Sequence, residues 1–144
     1  MAVKPIPDGY HAVTPYLIVD GAAKLIDFLK STFGATELFR MPAPGGKVGH
    51  AEVKIGDSNV MIADSSAEWA ARTAMLYVYV KDVDATHKKA LAAGGKQVKE
   101  PANQFYGDRS SGVTDAFGNY WGIATHVEDV SPQEIEKRAK QAHS

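Results

Sequence analysis

The residue pair best placed to do chemistry is His50 with Glu52. On a strand, positions i and i+2 share a face, so an imidazole and a carboxylate would point the same way. Such a pair can bond to itself and a strand neighbour, contact a polar group of a ligand, act as a general base, or give a divalent metal two ligands. Two donors are too few for a tight metal site, and a third would have to come from Asp64, Asp108 or His11, whose positions the sequence does not fix. No nucleophile or second acid stands beside the pair. Arg109, in Gly107-Asp108-Arg109-Ser110, can meet an anionic ligand or pair internally with Asp108 or Asp115. Gly45-Gly46 and Gly94-Gly95 read as turns, and no phosphate-binding glycine pattern is present.

Composition narrows the chemistry further. The 144 residues include no cysteine, which excludes thiolate metal sites, Fe–S clusters and a Cys nucleophile. Sixteen basic against 17 acidic residues give a net charge of −1, so the attraction for phosphate backbones that nucleic-acid binding rests on is missing. No segment approaches a membrane span and residues 1–7 lack the apolar run of a secretory signal, so the expected location is the cytoplasm. A chain of this length buries roughly 68–70% of its unfolded surface, which suits one domain over 1–144.

The elements that must position these residues repeat. A β-branched and aromatic run at 14–19 predicts a strand closed by Asp20-Gly21. Ala22, Leu25, Ile26, Leu29 and Phe33 then form one helical stripe ending at Gly34. Strands are predicted at 36–41, 49–55 and 59–63, and residues 65–73 read as a linker. A second round follows: a strand at 75–80, a helix from Asp82 or Asp84 to Gly94-Gly95, and strands at 96–99, 111–114 and 119–125. An offset of 61 superposes the halves, Val19 on Val80 and Gly34 on Gly95. Module one covers about 12–66 and module two about 72–127. Ser131-Pro132-Gln133-Glu134 predicts the capped start of a C-terminal helix over about 131–141, with a solvated, charged surface.

These modules, with Val19-Asp20-Gly21 leading to Ile26-Asp27-Phe28, His50-Ala51-Glu52 leading to Gly56-Asp57-Ser58, and Asp115-Ala116-Phe117-Gly118-Asn119, resemble the vicinal oxygen chelate superfamily. That group holds glyoxalase I, the bleomycin and fosfomycin resistance proteins, and extradiol dioxygenases. Gln104-Phe105-Tyr106-Gly107-Asp108-Arg109 and Ala124-Thr125-His126-Val127-Glu128-Asp129 look more like its PhnB-type branch. The resemblance implies an α+β fold of two tandem βαβββ modules, forming a curved mixed sheet around a concave cavity with helices on the convex side. It also implies a divalent metal held by His and Glu of the first and fourth strands. Aligned, those positions fall on Thr14, Met61, Met75 and Gly122, none of them a ligand for Zn, Ni, Fe or Mn. Neither metal nor cofactor is therefore expected.

Strand alternation in that fold turns Tyr16, His50, Glu52, Met61, Met75, Tyr77, Tyr79 and Tyr120 toward the ligand, and Arg109 is added as a contact for an anion. Tyrosine rings with methionines make an adaptable apolar lining suited to a flat or aromatic small molecule. Trp69 would cover the cavity mouth or a subunit boundary, Trp121 belongs to the core, and His87 reads as a helix-surface residue. The expected protein is a noncatalytic small-molecule binder forming a homodimer, without nucleic-acid or membrane partners. The alternatives are a glyoxalase-like lyase or isomerase using a relocated metal at His50 and Glu52 or acid–base chemistry without metal, and a domain whose pocket is filled by its own side chains and which acts only through partners.

Overall fold

The structure is a computed structural model and describes residues 2–142; Met1, His143 and Ser144 lie outside the described residues. Module one runs β1 (Tyr16–Val19), α1 (Ala22–Phe33), β2 (Thr36–Ala43), β3 (Lys47–Ile55) and β4 (Ser58–Asp64). Module two runs β5 (Met75–Tyr79), α2 (Val83–Ala92), β6 (Lys96–Asn103), β7 (Asp108–Thr114) and β8 (Tyr120–His126), and α3 (Pro132–Ala142) follows. The sheet orders are β1-β4-β3-β2 and β5-β8-β7-β6, with the first pair of each parallel and the others antiparallel. The repeat offset holds down to register: Tyr16 faces Met61 across β1 and β4, and Tyr77 faces Gly122 across β5 and β8. Among the described residues the strands are thus divided between two mixed sheets that share no ladder.

Alternation explains the layers. Leu17 and Val19 of β1, Ala51, Val53 and Ile55 of β3, and Val60 and Ile62 of β4 are buried with Leu25, Ile26 and Leu29 of α1. In module two Leu76 and Val78 pack with Val113, Trp121 and Ile123 beneath Val83 and Ala90 of α2. The modules meet through their helices. Phe33 lies 5.6 Å from Trp121, and Gly95 lets the Phe28 ring approach so closely that a Cβ there would meet Cε1 at 3.3 Å.

Several boundaries differ from the sequence pattern for local reasons. β1 begins at Tyr16, and Thr14 and Pro15 lie just outside it, the Thr14 hydroxyl donating to the His11 carbonyl. β6 extends past Pro101, which an edge strand with shifted register tolerates. Gly34 caps α1 in the left-handed conformation, but α2 ends earlier and its positive φ falls on Gly94 instead of Gly95. The N-cap of α2 is Asp82, accepting from the Ala85 amide. At α3 the Ser131 hydroxyl caps the Glu134 amide as expected, yet Glu134 bonds Arg138 and not the cap. Arg138 also reaches Glu128 and the Phe105 carbonyl, so one charge of this helix docks it to the preceding loops. Among the described residues no helix is long and apolar enough to cross a membrane.

Candidate functional site

On the sheet face of module one turned away from α1, the ladder sets Tyr16, Met61, Glu52 and Phe39 in one row across β1, β4, β3 and β2. His50 stands beside the row, opposite Met41 and 6.3 Å from the Phe39 ring. His50 Nε2 lies 3.0 Å from Glu52 Oε2 and Nδ1 lies 2.8 Å from the Tyr16 hydroxyl. An ionised carboxylate only accepts, so Nε2 donates to Glu52; a neutral ring then accepts the Tyr16 proton at Nδ1. The other Glu52 oxygen accepts the hydroxyl of Tyr10, which arrives from the N-terminal arm. Phe39, Met41 and Tyr16 remain half exposed around this polar centre, and Trp69 of the linker joins Tyr16, Ile18 and Arg72 to line a hollow of about 340 Å³.

The charges follow the contacts. Tyr10 donates to Glu52 and, with His50, holds its carboxyl below the usual range against the opposing effect of burial. Burial and the nearby Glu52 carboxylate push the Tyr10 phenol up to about 12, and both raise Tyr16 as well. A neutral, donating phenol against an ionised acceptor is the state these shifts favour.

Module two carries a comparable centre built from other positions. Asp108, 3% exposed, accepts the Tyr77 hydroxyl at 2.8 Å, the Tyr79 hydroxyl at 2.9 Å and His126 Nδ1 at 2.9 Å. His126 Nε2 reaches Asp129 at 2.7 Å, so both ring nitrogens face carboxylates and the imidazolium is favoured. Burial alone would raise Asp108, but the His126, Tyr77 and Tyr79 donors outweigh it and hold the carboxyl low. Tyr77 lies over Gly122, where a Cβ would meet its ring at 2.7 Å, and Tyr120 lies over Gly112, where a Cβ would strike its hydroxyl. Glycine at these two strand positions is what lets the rings lie down on the sheet. Met75 stands at the start of edge strand β5, 75% exposed.

The structure therefore gathers Tyr16, His50, Glu52 and Met61 on one module and Tyr77, Tyr79 and Tyr120 on the other. Arg109 joins neither group. It points to the α2 side of β7, where Asp84 takes its guanidinium through bonds of 2.8 and 2.9 Å, so its partner is neither Asp108 nor Asp115. Asp64, a conceivable third donor for a metal, accepts from the amides of Gly21, Ala22 and Val48. Asp115 is taken by Phe117, Asn119 and Trp121 donors. His87 is not on the helix surface: it is buried between Ser111 and Gln97, at 2.8 and 2.7 Å. Sequence reasoning missed Tyr10 and the Asp108–His126 pair. Tyr10 sits in an aperiodic arm 42 residues from its partner, and Asp108 precedes the β-branched run that marked β7.

The four positions implied as metal corners carry a hydroxyl at Thr14, thioethers at Met61 and Met75, and at Gly122 a backbone under the Tyr77 ring. That donor set does not fit a hard or borderline divalent ion. Among the described residues no three His, Asp or Glu side chains are gathered as a metal cluster. The model of the Glyoxalase/Bleomycin resistance protein/Dioxygenase superfamily matches residues 10–123. The chain belongs to this superfamily. An uncharacterized protein of Mycobacterium bovis is 36% identical over 136 residues, covering 87% of this chain and 90% of that protein. Among solved structures, TioX from Micromonospora sp. ML1 is 25% identical with a TM-score of 0.64, over 81% of this chain and all of TioX. The PhnB protein of Bacillus cereus has a TM-score of 0.65 at 19% identity, over 80% of this chain and 99% of that one. Glyoxalase-superfamily modules thus supply the frame, and the chemistry rests on the residues described above.

Proposed function

We propose that this superfamily member is a noncatalytic small-molecule-binding protein of the bleomycin-resistance type, PhnB-like in branch, which binds a flat or aromatic guest without a metal. The observation that carries the reading is the module-one row, in which aromatic and thioether side chains surround a single His–Glu pair. The lining offers dispersion to a ring and one ionised acceptor to orient it. Among the described residues no side chain beside His50 and Glu52 is placed as a nucleophile; their remaining bonds go to tyrosines. The donor chemistry at Thr14, Met61, Met75 and Gly122 supports a site that has given up its metal.

We further propose that the protein works as a homodimer. Edge strand β5 presents Met75, Tyr77 and Tyr79 at 75%, 44% and 60% exposure, an apolar stripe that a second copy of the chain would cover.

A thermal-shift screen with aromatic and dicarbonyl compounds, run beside elemental analysis, tests the reading. A guest at 100 times its Kd should add about 2.7 kcal/mol of stability. Binding by chelator-treated protein supports the proposal. Stoichiometric Ni, Zn, Fe or Mn that is lost in His50→Ala would favour a relocated metal site instead, and no shift with any compound would favour a self-filled pocket.

A further inference from the structure

The N-terminal arm, residues 2–14, forms no helix or strand, and nearly all of it is exposed. Its hold on module one is narrow. Tyr10 donates to Glu52 and is hydrogen-bonded by the Asn59 side chain, Gly9 lies against Asn59, and arm residues from Pro5 to Thr14 roof a hollow of about 350 Å³ floored by Glu52 and Met61. The fit is incomplete: Asn59 is buried at 7% exposure, yet its Oδ1 has no donor among the described residues. A segment with so few buried contacts opens at little free-energy cost. Its phenol nonetheless fills one oxygen of the only ionised group in the module-one row.

We propose that Tyr10 is a built-in competitor, and that the guest of this site is a hydroxylated aromatic whose O–H replaces the Tyr10 phenol on Glu52. This inference rests on the reading of module one as a binding surface and names the class of its guest. Tyr10 displays the required chemistry: an aromatic ring with a neutral hydroxyl donor, set against the ionised Glu52 carboxylate that His50 orients from its other oxygen. Entry of the guest lifts the arm, so its affinity is reduced by the fraction of chains in which Tyr10 holds Glu52. A ring lacking the hydroxyl leaves Glu52 without its donor and is disfavoured.

The full-length protein and its Tyr10→Phe, Tyr10→Ala and Glu52→Gln variants would be titrated calorimetrically at pH 7 with 2-naphthol and with 2-methoxynaphthalene, its non-donating counterpart. The expected result is about tenfold tighter 2-naphthol binding in Tyr10→Phe and Tyr10→Ala than in the natural chain. The preference for 2-naphthol over the methyl ether should shrink in Glu52→Gln, whose neutral amide oxygen accepts the hydroxyl more weakly than the carboxylate does. Equal 2-naphthol affinity in all four proteins overturns the competitor while leaving an aromatic-binding surface intact. An absence of 2-naphthol binding in every variant overturns it too, and if the aromatic screen is equally empty the binding reading falls with it.

Discussion

Glu52 and Asp108 are each held by a histidine and by tyrosine hydroxyls, although they do not occupy equivalent positions in the repeat. For Glu52 the partner is traceable in the pH dependence. Burial and the Glu52 carboxylate together raise the Tyr10 phenol above its ordinary 10.0 to about 12, so its contribution is complete below pH 10 as long as Glu52 is ionised, and is lost as pH rises through 12. Glu52→Gln should bring the Tyr10 midpoint back toward 10, read by ultraviolet titration against Tyr10→Phe. For Asp108 the sign works from both sides. His126 is raised above 6.5, so its contribution is complete below that pH and fades as pH climbs through the raised value. Asp108 is lowered below 3.8, so its contribution is present above that pH and fades as pH falls through the lowered value. An NMR titration should show the His126 midpoint fall in Asp108→Asn. The neighbours His50 and Glu52 were legible because a strand puts i and i+2 on one face. The Arg109–Asp84 pair was not, since it depends on how α2 is phased over β7.

The repeat is carried by element ends as much as by strands. Asp64 and Thr125, 61 residues apart, close β4 and β8 and each accepts a backbone amide from the first turn of the neighbouring helix, Ala22 and Val83. Asp64 also serves Gly21 and Val48, and these donors hold its carboxyl low despite burial. Urea denaturation should therefore register a loss of about 2–4 kcal/mol in Asp64→Ala, which orphans three amides, and about 1 kcal/mol in Thr125→Val. The strand–helix periodicity made these elements legible in the sequence, and the shared register confirms the offset at Tyr16–Met61 and Tyr77–Gly122. The longer reach of β6 was hidden by Pro101, whose tolerance depends on an edge position that one-dimensional patterning does not reveal. Gly112 and Gly122, which bring no side chain to their strands, are seats for tyrosine rings. Gly122→Ala should lift Tyr77 off the sheet and weaken its bond to Asp108, seen as a fall of the Tyr77 ionisation midpoint toward 10.

At the scale of the whole molecule, α1 meets α2 and packs Phe33 on Trp121 of β8, leaving the tyrosine-bearing edge of β5 uncovered within one chain. A dimer using that edge should sediment as two chains and should dissociate in Met75→Glu, because a charge replaces an apolar side chain at the boundary without disturbing the core. A monomer at micromolar concentration in the natural protein would contradict it. The binding claim itself is tested most directly by calorimetric titration of chelator-treated, full-length protein with 2-naphthol, before and after addition of Ni, Zn, Mn or Fe. The account predicts one binding site per chain with the same affinity in every case. Binding that appears only once a metal is restored would contradict it.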